Sequence, residues 1–467
     1  MKTIKILALL AGLLASEFSG AADSSSPNPL GAVDDLLKQE HQHARSAVPL
    51  KSLAELEREA LTGNPEIRLM FRRIAIAEIK PKIAGSREDP AFMYRGWGTP
   101  LQRPWDLNQT QHMFMYNQAL PGPGKRALRA EVAEGNTEVA KAQLEAKKRE
   151  IAAEVRKAFY DLLRNQDELI LHDEQAAIAR QALEQARIKY VVGKVPQQDV
   201  LKAQIAVTKL VEHLVMLQQE GSMASSRLNT LVGRDPAEPI AVEGSYAPPD
   251  TIPSLLELER VALESRPELA AVSAAVRQEE ARKKLAEKGY SPDYNVSAGY
   301  MLMPDGARYR NTYMAELSVT LPWLNRGRHD AEIAESQAQI SEEQAEYDYQ
   351  RSVVFQEIQE ALVRARAAKR LVDLYRDTLR PQAEASLKSA VSAYQADRTD
   401  FLNLLDSQNT TLDVELAYYR FASELESNLA DLERATGAPL NRQAASPPRP
   451  DRSDASDLSL EVRDDET

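Results

Sequence analysis

The sequence repeats itself over about two hundred residues, and this internal duplication limits the possible fold more than any other feature. Landmark residues of the first half recur in the second half at separations of 201 to 204 residues. The recurring pairs are Asn64-Pro65-Glu66-Ile67 with Arg266-Pro267-Glu268-Leu269, Leu120-Pro121 with Leu321-Pro322, Tyr190 with Tyr394, Gln204 with Gln408, and Gly233 with Gly437. Each half is therefore predicted to be one structural repeat, the first over residues 51–250 and the second over residues 251–440.

Both halves predict the same order of elements. Two short helices come first, followed by a pair of strands (about 90–120 and 291–321) and a long helical hairpin (about 125–233 and 328–437). Apolar residues at Val155, Ala158 and Leu162 have the three-and-four spacing of a coiled-coil seam. At 1.5 Å per residue, the first helix of each hairpin would be roughly 100 Å long.

The predicted strands alternate strictly between two kinds of side chain. Tyr294, Val296 and Tyr300 alternate with Asn295, Ser297 and Met301, and the other strands show the same period of two. A lipid-facing row opposite a lumen-facing row produces this pattern in outer-membrane barrels. Four strands cannot close a barrel, and unpaired strand edges are prohibitive in lipid. We therefore predict a mainly α protein with a transmembrane β part, in which a homotrimeric 12-stranded β-barrel with four strands per chain continues into a long α-helical coiled-coil barrel.

The ends of the chain and its composition narrow the function. Residues 1–21 have the charged start, short apolar run and small residues of a secretory signal peptide, residues 22–50 are predicted to be loose, and residues 441–467 form a disordered acidic tail. The net charge of -12 disfavours nucleic acid as a partner, and the lack of cysteine excludes disulfides and thiolate sites. Without phosphate-binding glycine loops or hydrolase motifs, no enzyme and no cofactor is expected.

Around the predicted hairpin turns the sequence resembles the TolC family of outer-membrane efflux proteins. The resemblance covers about residues 52–440 and rests on the duplication together with three segments: Tyr190-Val191-Val192-Gly193, Asp199-Val200-Leu201-Lys202-Ala203-Gln204 and Leu404-Leu405-Asp406-Ser407-Gln408. It implies a passive export channel in the outer membrane with a long periplasmic extension. The implied partners are two further copies, outer-membrane lipid, a periplasmic adaptor protein and an inner-membrane pump of the RND type.

The resemblance also assigns roles to residues at the turns. Asp199 and Tyr394 match positions where a polar link holds neighbouring coils closed, and Asp406 matches a carboxylate ring that narrows the pore. Asn403 stands where a second such carboxylate can occur, and Arg398 is the candidate for an arginine whose position Thr399 occupies. The turn residues implied to contact the adaptor are Tyr190, Val192, Gly193 and Asp397, the last an aspartate where the family usually has glycine. The alternative for Asp406 is an ordinary solvated carboxylate on a helix.

Six of the ten methionines lie in or next to the predicted strands. By alternation they fall on the polar, lumen-facing rows: Met93, Met113, Met115, Met301, Met303 and Met314. Thioethers suit soft cations such as Cu(I) and Ag(I), which favours heavy metals as cargo without a fixed metal site. The alternatives are methionines that only fill space, a channel for drugs or other small organic molecules, and a soluble periplasmic coiled-coil scaffold.

Overall fold

The computed structural model describes residues 50–99, 101–102, 106–396 and 398–440. The predicted signal peptide and acidic tail lie outside the described residues, as does nearly all of the segment 22–50. In the first repeat two short helices precede two strands and a helical hairpin. These elements are β1 (Leu50–Lys51), α1 (Leu53–Gly63), α2 (Pro65–Ala84), β2 (Ala91–Trp97), β3 (Gln111–Leu120), α3 (Lys125–Val191) and α4 (Gln197–Val232).

The second repeat has the same order of elements. A two-residue strand, β4 (Ala241–Val242), precedes it, and a π-helical turn at Tyr375–Leu379 interrupts its longest helix. Its elements are α5 (Leu255–Ser265), α6 (Pro267–Glu287), β5 (Tyr294–Leu302), β6 (Asn311–Val319), α7 (Arg326–Leu374), α8 (Arg380–Gln395) and α9 (Phe401–Thr436).

The same local chemistry begins and ends the helices of both repeats. Proline is the first residue of α2 and of α6, where its missing N–H costs nothing because that group has no helical partner. Both return helices, α4 and α9, end at a glycine with positive φ, Gly233 at 82° and Gly437 at 72°. Only glycine adopts this left-handed conformation cheaply, so the two glycines fix where the hairpins stop.

The π-helical turn explains why the number of residues between equivalent positions of the two repeats changes along the long helices. Before the turn, residues buried on α3 have buried counterparts on α7 that lie 203 positions later, as in Ala133/Ser336, Ile151/Val354, Val155/Ile358, Ala158/Ala361, Phe159/Leu362 and Leu162/Ala365. After it, buried Ala179 matches buried Ala383, and Tyr190 matches Tyr394, at a separation of 204. A π turn holds one more residue than an α turn. It therefore absorbs the single extra residue of the second repeat and keeps the apolar stripe facing inward.

The two strand pairs join into one antiparallel sheet. Its strand order is β2-β3-β5-β6, so the strands of the two repeats meet where β3 pairs with β5. Facing residues include Met93 and Met115 on β2 and β3, and Tyr300 and Tyr313 on β5 and β6. The outer edges of β2 and β6 have no neighbouring strand within the described residues of this chain.

The helices of the two repeats pack along α3. This helix contacts α2 and α4 of its own repeat and α6 and α9 of the second repeat. The largest apolar cluster contains Leu56, Val155, Phe159, Leu163 and Leu228, all at most 2% exposed. A separate cluster in the second repeat is built around Ile358, Leu362 and Leu432. The hairpins of the two repeats thus lie side by side, which brings their two turns together.

Candidate functional site

The turn of the first hairpin is a tight helix end that exposes apolar side chains. Gly193 has a φ of 74°, its N–H donates to Tyr190 O at 2.9 Å, and the Lys194 N–H donates to Lys189 O at 2.8 Å. These two bonds close the end of α3 in the Schellman arrangement. Tyr190 is 45% exposed and Val192 is 63% exposed, so the turn presents an apolar surface beyond the end of the helix.

The turn of the second hairpin repeats this backbone pattern. The Arg398 N–H donates to Ala393 O at 2.8 Å, which is the counterpart of the bond from Lys194 to Lys189. Asp397, the counterpart of Gly193, lies outside the described residues. Asp400 then caps α9 by accepting a hydrogen bond from the Asn403 N–H at 3.0 Å. Helix α9 therefore has a side-chain cap at its start, whereas α4 begins after Pro196 without one.

The two turns are joined inside one chain by Tyr394. Its side chain, on α8, is 7% exposed and packs among apolar residues of the other three hairpin helices α3, α4 and α9, which are Ala179, Leu183, Ala203, Val207 and Leu404. The Lys189 ammonium lies 4.0 Å from the centroid of the Tyr394 ring. At this distance a cation is attracted to the ring face, by about 0.5–2 kcal/mol depending on its exposure. Lys189, which the sequence did not single out, is therefore part of the contact between the hairpins.

The remaining predicted gate residues lie at the second turn and at the starts of the return helices. Asp199 is partly buried in the first turn of α4, and Asn403 occupies the equivalent place on α9. The Asn403 amide donates to Thr399 Oγ1 at 3.1 Å. Asp406, one turn further along α9, is exposed, as is Arg398. The structure thus brings the predicted gate residues to one end of the molecule, and the Asp406 carboxylate lies on the surface of the single chain.

In the first hairpin a buried histidine of α3 contacts a second histidine on the return helix α4. The His172 side chain is 4% exposed, and its ring lies 5.7 Å from the His213 ring at 25° between the planes. Burial lowers the pKa of His172, the nearby His213 lowers it further, and Asp173 opposes both effects. His172 is therefore a neutral group inside the hairpin at neutral pH.

The sheet has two chemically different faces, and the strand register places the methionines on one of them. Directly opposed residues share a face, so Met93 lies with Met115, and Met113 lies with Met301. Met314 faces Gly299 on the same side, whereas Met303 lies one residue beyond the end of β5. The opposite face carries Phe92, Tyr94, Phe114, Tyr116, Tyr300 and Tyr313.

Exposure distinguishes the two faces as well. On the aromatic face Phe92 is 72% and Tyr313 is 86% exposed, while Met115 is 5% exposed. Polar groups accompany the methionines, since the Gln111 amide contacts the Met301 sulfur and Arg95 Nη2 lies 3.7 Å from the Met93 sulfur. The methionine face is therefore the more sheltered and the more polar of the two.

Two features, a membrane-spanning helix and a cluster of metal ligands, are absent from the residues that the structure describes. None of the helices there is both long enough and apolar enough to cross a membrane. Across the same residues, no three or more His, Asp or Glu side chains come together as a possible metal site.

Comparison with known proteins gives one family and several similar structures. The model of the family described as "Outer membrane efflux protein" matches residues 108–234 and 258–438, which together are more than half of the chain. The cobalt-zinc-cadmium resistance protein CzcC of Cupriavidus metallidurans is 25% identical over 318 residues, covering 67% of this chain and 74% of that protein.

The solved structures agree with this match in fold. CusC, described in work on folding and transmembrane channel formation, has a TM-score of 0.71 at 15% identity and covers 84% of this chain and 94% of its own. The outer membrane protein VceC of Vibrio cholerae has a TM-score of 0.67 at 18% identity, with coverages of 83% and 96%. The predicted fold class, long helices combined with a four-stranded contribution to a β part, is confirmed.

Proposed function

The chain belongs to the outer membrane efflux protein family, and we propose that three copies of it form the outer-membrane duct of a tripartite pump that exports heavy-metal cations such as Cu(I) and Ag(I). Family membership makes the protein an outer-membrane channel component, not an enzyme or a soluble scaffold. The partners in this proposal are a periplasmic adaptor and an inner-membrane pump of the RND type, with outer-membrane lipid around the strands.

The geometry of the sheet supports an assembly of three. Strands β2 and β6 leave their outer edges without a strand neighbour in the described part of this chain, and hydrocarbon tolerates no unpaired backbone. Pairing of β6 with β2 of the next copy would satisfy both edges. Three copies then supply twelve strands, an even number large enough to leave a pore.

One observation supports metal cations as the cargo, namely the methionines that share a face of the sheet. In the proposed assembly the exposed aromatic face meets lipid and the sheltered methionine face lines the lumen. Thioether sulfur is a soft, uncharged ligand that binds soft cations without holding them as firmly as thiolate would. A lumen that passes cargo needs such weak, repeated contacts. The resemblance to a protein named for cobalt, zinc and cadmium resistance points to the same class of cargo.

Deletion of the gene in its own host tests this function. We expect the deletion strain to become sensitive to copper, silver, cobalt, zinc or cadmium salts while its tolerance of bile salts and dyes stays unchanged. Complementation with the intact gene should restore metal tolerance. Unchanged metal tolerance together with a loss of tolerance to bile salts or dyes would instead identify a channel for organic molecules.

A further inference from the structure

The internal repeat allows contacts between copies to be inferred from contacts within one copy. This step rests on the proposed trimer. In a closed ring of three chains the second repeat of one copy lies beside the first repeat of the next. Each contact from α3 to α9 inside a chain should then have a counterpart from α7 to α4 of the neighbouring copy, because α7 corresponds to α3 and α4 corresponds to α9.

The exposure of equivalent residues locates that second contact. Ala153 and Tyr160 on α3 are 4% and 6% exposed. Their counterparts 203 positions later on α7 are Gln356, which is exposed, and Val363, which is 54% exposed. A strip that is covered on α3 is thus uncovered on α7.

The return helices differ in the same way. Ser423 and Ala430 on α9 are 2% and 1% exposed. Their counterparts on α4, 204 positions earlier, are Gln219 and Ser226. These two residues line a shallow depression of about 630 Å³ together with the 56% exposed Met223. The uncovered surface of α4 therefore matches the surface that α9 uses within the chain.

An ion pair joins α3 to α9 within the chain. At the equivalent positions on α7 and α4 the positive and negative residues are exchanged. Lys157 Nζ on α3 lies 2.5 Å from Asp431 Oδ1 on α9. The position equivalent to Lys157 on α7 is Glu360, and the position equivalent to Asp431 on α4 is Arg227. Both counterparts are exposed in the single chain, the Arg227 side chain to 52%. We propose that Glu360 of each copy forms an ion pair with Arg227 of the next copy.

Arg227 has the donors that this arrangement needs. Its Nη2 already lies 2.5 Å from Glu154 Oε2 on α3 of the same chain. A guanidinium has five N–H donors in a rigid fork, so Arg227 can bridge Glu154 and Glu360 of the neighbouring copy at once. Covering by the neighbour would remove water from this cluster and strengthen the attraction between its charges.

Because the natural chain has no cysteine, crosslinking can test the contact directly. The double variant Arg227→Cys with Glu360→Cys, treated in outer membranes with a short bismaleimide, should give a covalent trimer on a denaturing gel. The matched control, Lys157→Cys with Asp431→Cys, should crosslink within the chain and run as a monomer. If the wild type is a trimer in mild detergent but the Arg227→Cys, Glu360→Cys variant gives only monomer, the inference is overturned and the proposed function stays intact. A monomeric wild type would overturn both.

Charge exchange gives a second readout that does not depend on crosslinking chemistry. Glu360→Lys alone should lower the temperature at which the trimer dissociates, because the new lysine faces Arg227. Arg227→Asp alone also loses its pair with Glu154 of the same chain, so the double variant is compared with this single variant. In the Arg227→Asp background, Glu360→Lys recreates the Lys–Asp polarity of the pair inside the chain and should raise the dissociation temperature. If Glu360→Lys has the same effect on that temperature in both backgrounds, the two side chains are not partners.

Discussion

Asn64 and Arg266 occupy equivalent positions in the two repeats, and each donates a hydrogen bond to a carbonyl near the end of a return helix. Asn64 Nδ2 lies 2.9 Å from Leu231 O, and Arg266 Nη1 lies 2.5 Å from Ala435 O. The two accepting residues are themselves equivalent. In each repeat, therefore, a buried polar side chain joins the start of the second short helix (α2 or α6) to the end of the return helix (α4 or α9). The two side chains differ in chemistry, and both are at most 5% exposed.

This relationship predicts that both residues contribute strongly to stability. Asn64→Ala removes the donor to Leu231 and also the acceptor that caps α2 at Glu66 N, which is 2.8 Å away. Its expected cost is about 1–3 kcal/mol. Arg266→Met keeps the apolar stem but removes the buried donor to Ala435 O and the 2.7 Å pair with Glu357, which keeps Arg434 Nη2 at 3.5 Å, at roughly 1–3 kcal/mol. Hydrogen exchange of α2 and α6 would measure both losses.

The control for these variants is Arg260→Met. The Arg260 side chain is 82% exposed and its ion pair with Glu264 spans 4.0 Å. Such a pair contributes little, so amide exchange in the control should match the wild type. Equal exchange in Asn64→Ala and in this control would show that the buried tie is energetically unimportant.

Much of the fold was predictable because single residues, repeated in both halves, determine where the helices begin and end. Proline after Asn64 and Arg266, and glycine at 233 and 437, begin and end helices through their own backbone preferences. The fold class followed from these signals and from the alternation in the strands. The π turn at Tyr375–Leu379 was not predicted: Pro381, directly after it, indicates an interruption of the helix but not that the interruption holds one extra residue.

The contacts of the candidate site were less predictable than its location. The turn segments identified Tyr190, Gly193, Tyr394 and Asp406 from the sequence alone. Lys189 gave no signal of its own, because its contact with the Tyr394 ring depends on the two hairpins lying side by side. Pairing between residues about two hundred positions apart requires the packed structure.

Asp406 is predicted to control ion passage through the closed end of the duct. Three exposed carboxylates around the axis would attract cations and repel one another. Asp406→Ala should raise the single-channel conductance in planar bilayers and weaken block by divalent cations. Asp250→Ala, in the segment between the repeats, removes one exposed charge elsewhere and should change neither quantity. Unchanged conductance and unchanged block in Asp406→Ala would show that this residue does not lie at the pore axis.

The exposed turn of the first hairpin is predicted to bind the adaptor. Val192 is 63% exposed although it is apolar, as expected of a surface that a partner covers. Val192→Asp should reduce recovery of the adaptor with the purified channel, because a carboxylate would be buried without a partner. Leu256→Asp, at a 77% exposed leucine of α5, is the matched control. Equal recovery with both variants would place the adaptor contact elsewhere.

His172 is predicted to make the first hairpin less stable in acid. Its pKa in the folded chain is lowered below the ordinary value, first by burial and then by His213. The unfolded chain therefore binds a proton more readily, and stability falls as the pH drops through the unfolded pKa of 6.5 towards the folded one. His172→Phe should remove part of this decline in unfolding measurements between about pH 7 and pH 5. His329→Phe, at a histidine of the second repeat that contacts Glu332, should retain it. If stability declines by the same amount in both variants, titratable groups other than His172 cause the loss of stability in acid.

The methionines of the sheet are predicted to set which cargo passes. A variant with leucine at Met93, Met113, Met115, Met301 and Met314 keeps the side-chain volume but removes the sulfur of all five methionines that lie within the strands on that face. If sulfur eases the passage of soft cations, cells with this variant should lose tolerance of silver and copper several-fold. Their tolerance of bile salts and the amount of trimer in the membrane should match the wild type. Leucine at Met70 and Met216, which lie on helices, tests whether loss of any sulfur has this effect. Full metal tolerance in the five-leucine variant would show that these thioethers only fill space.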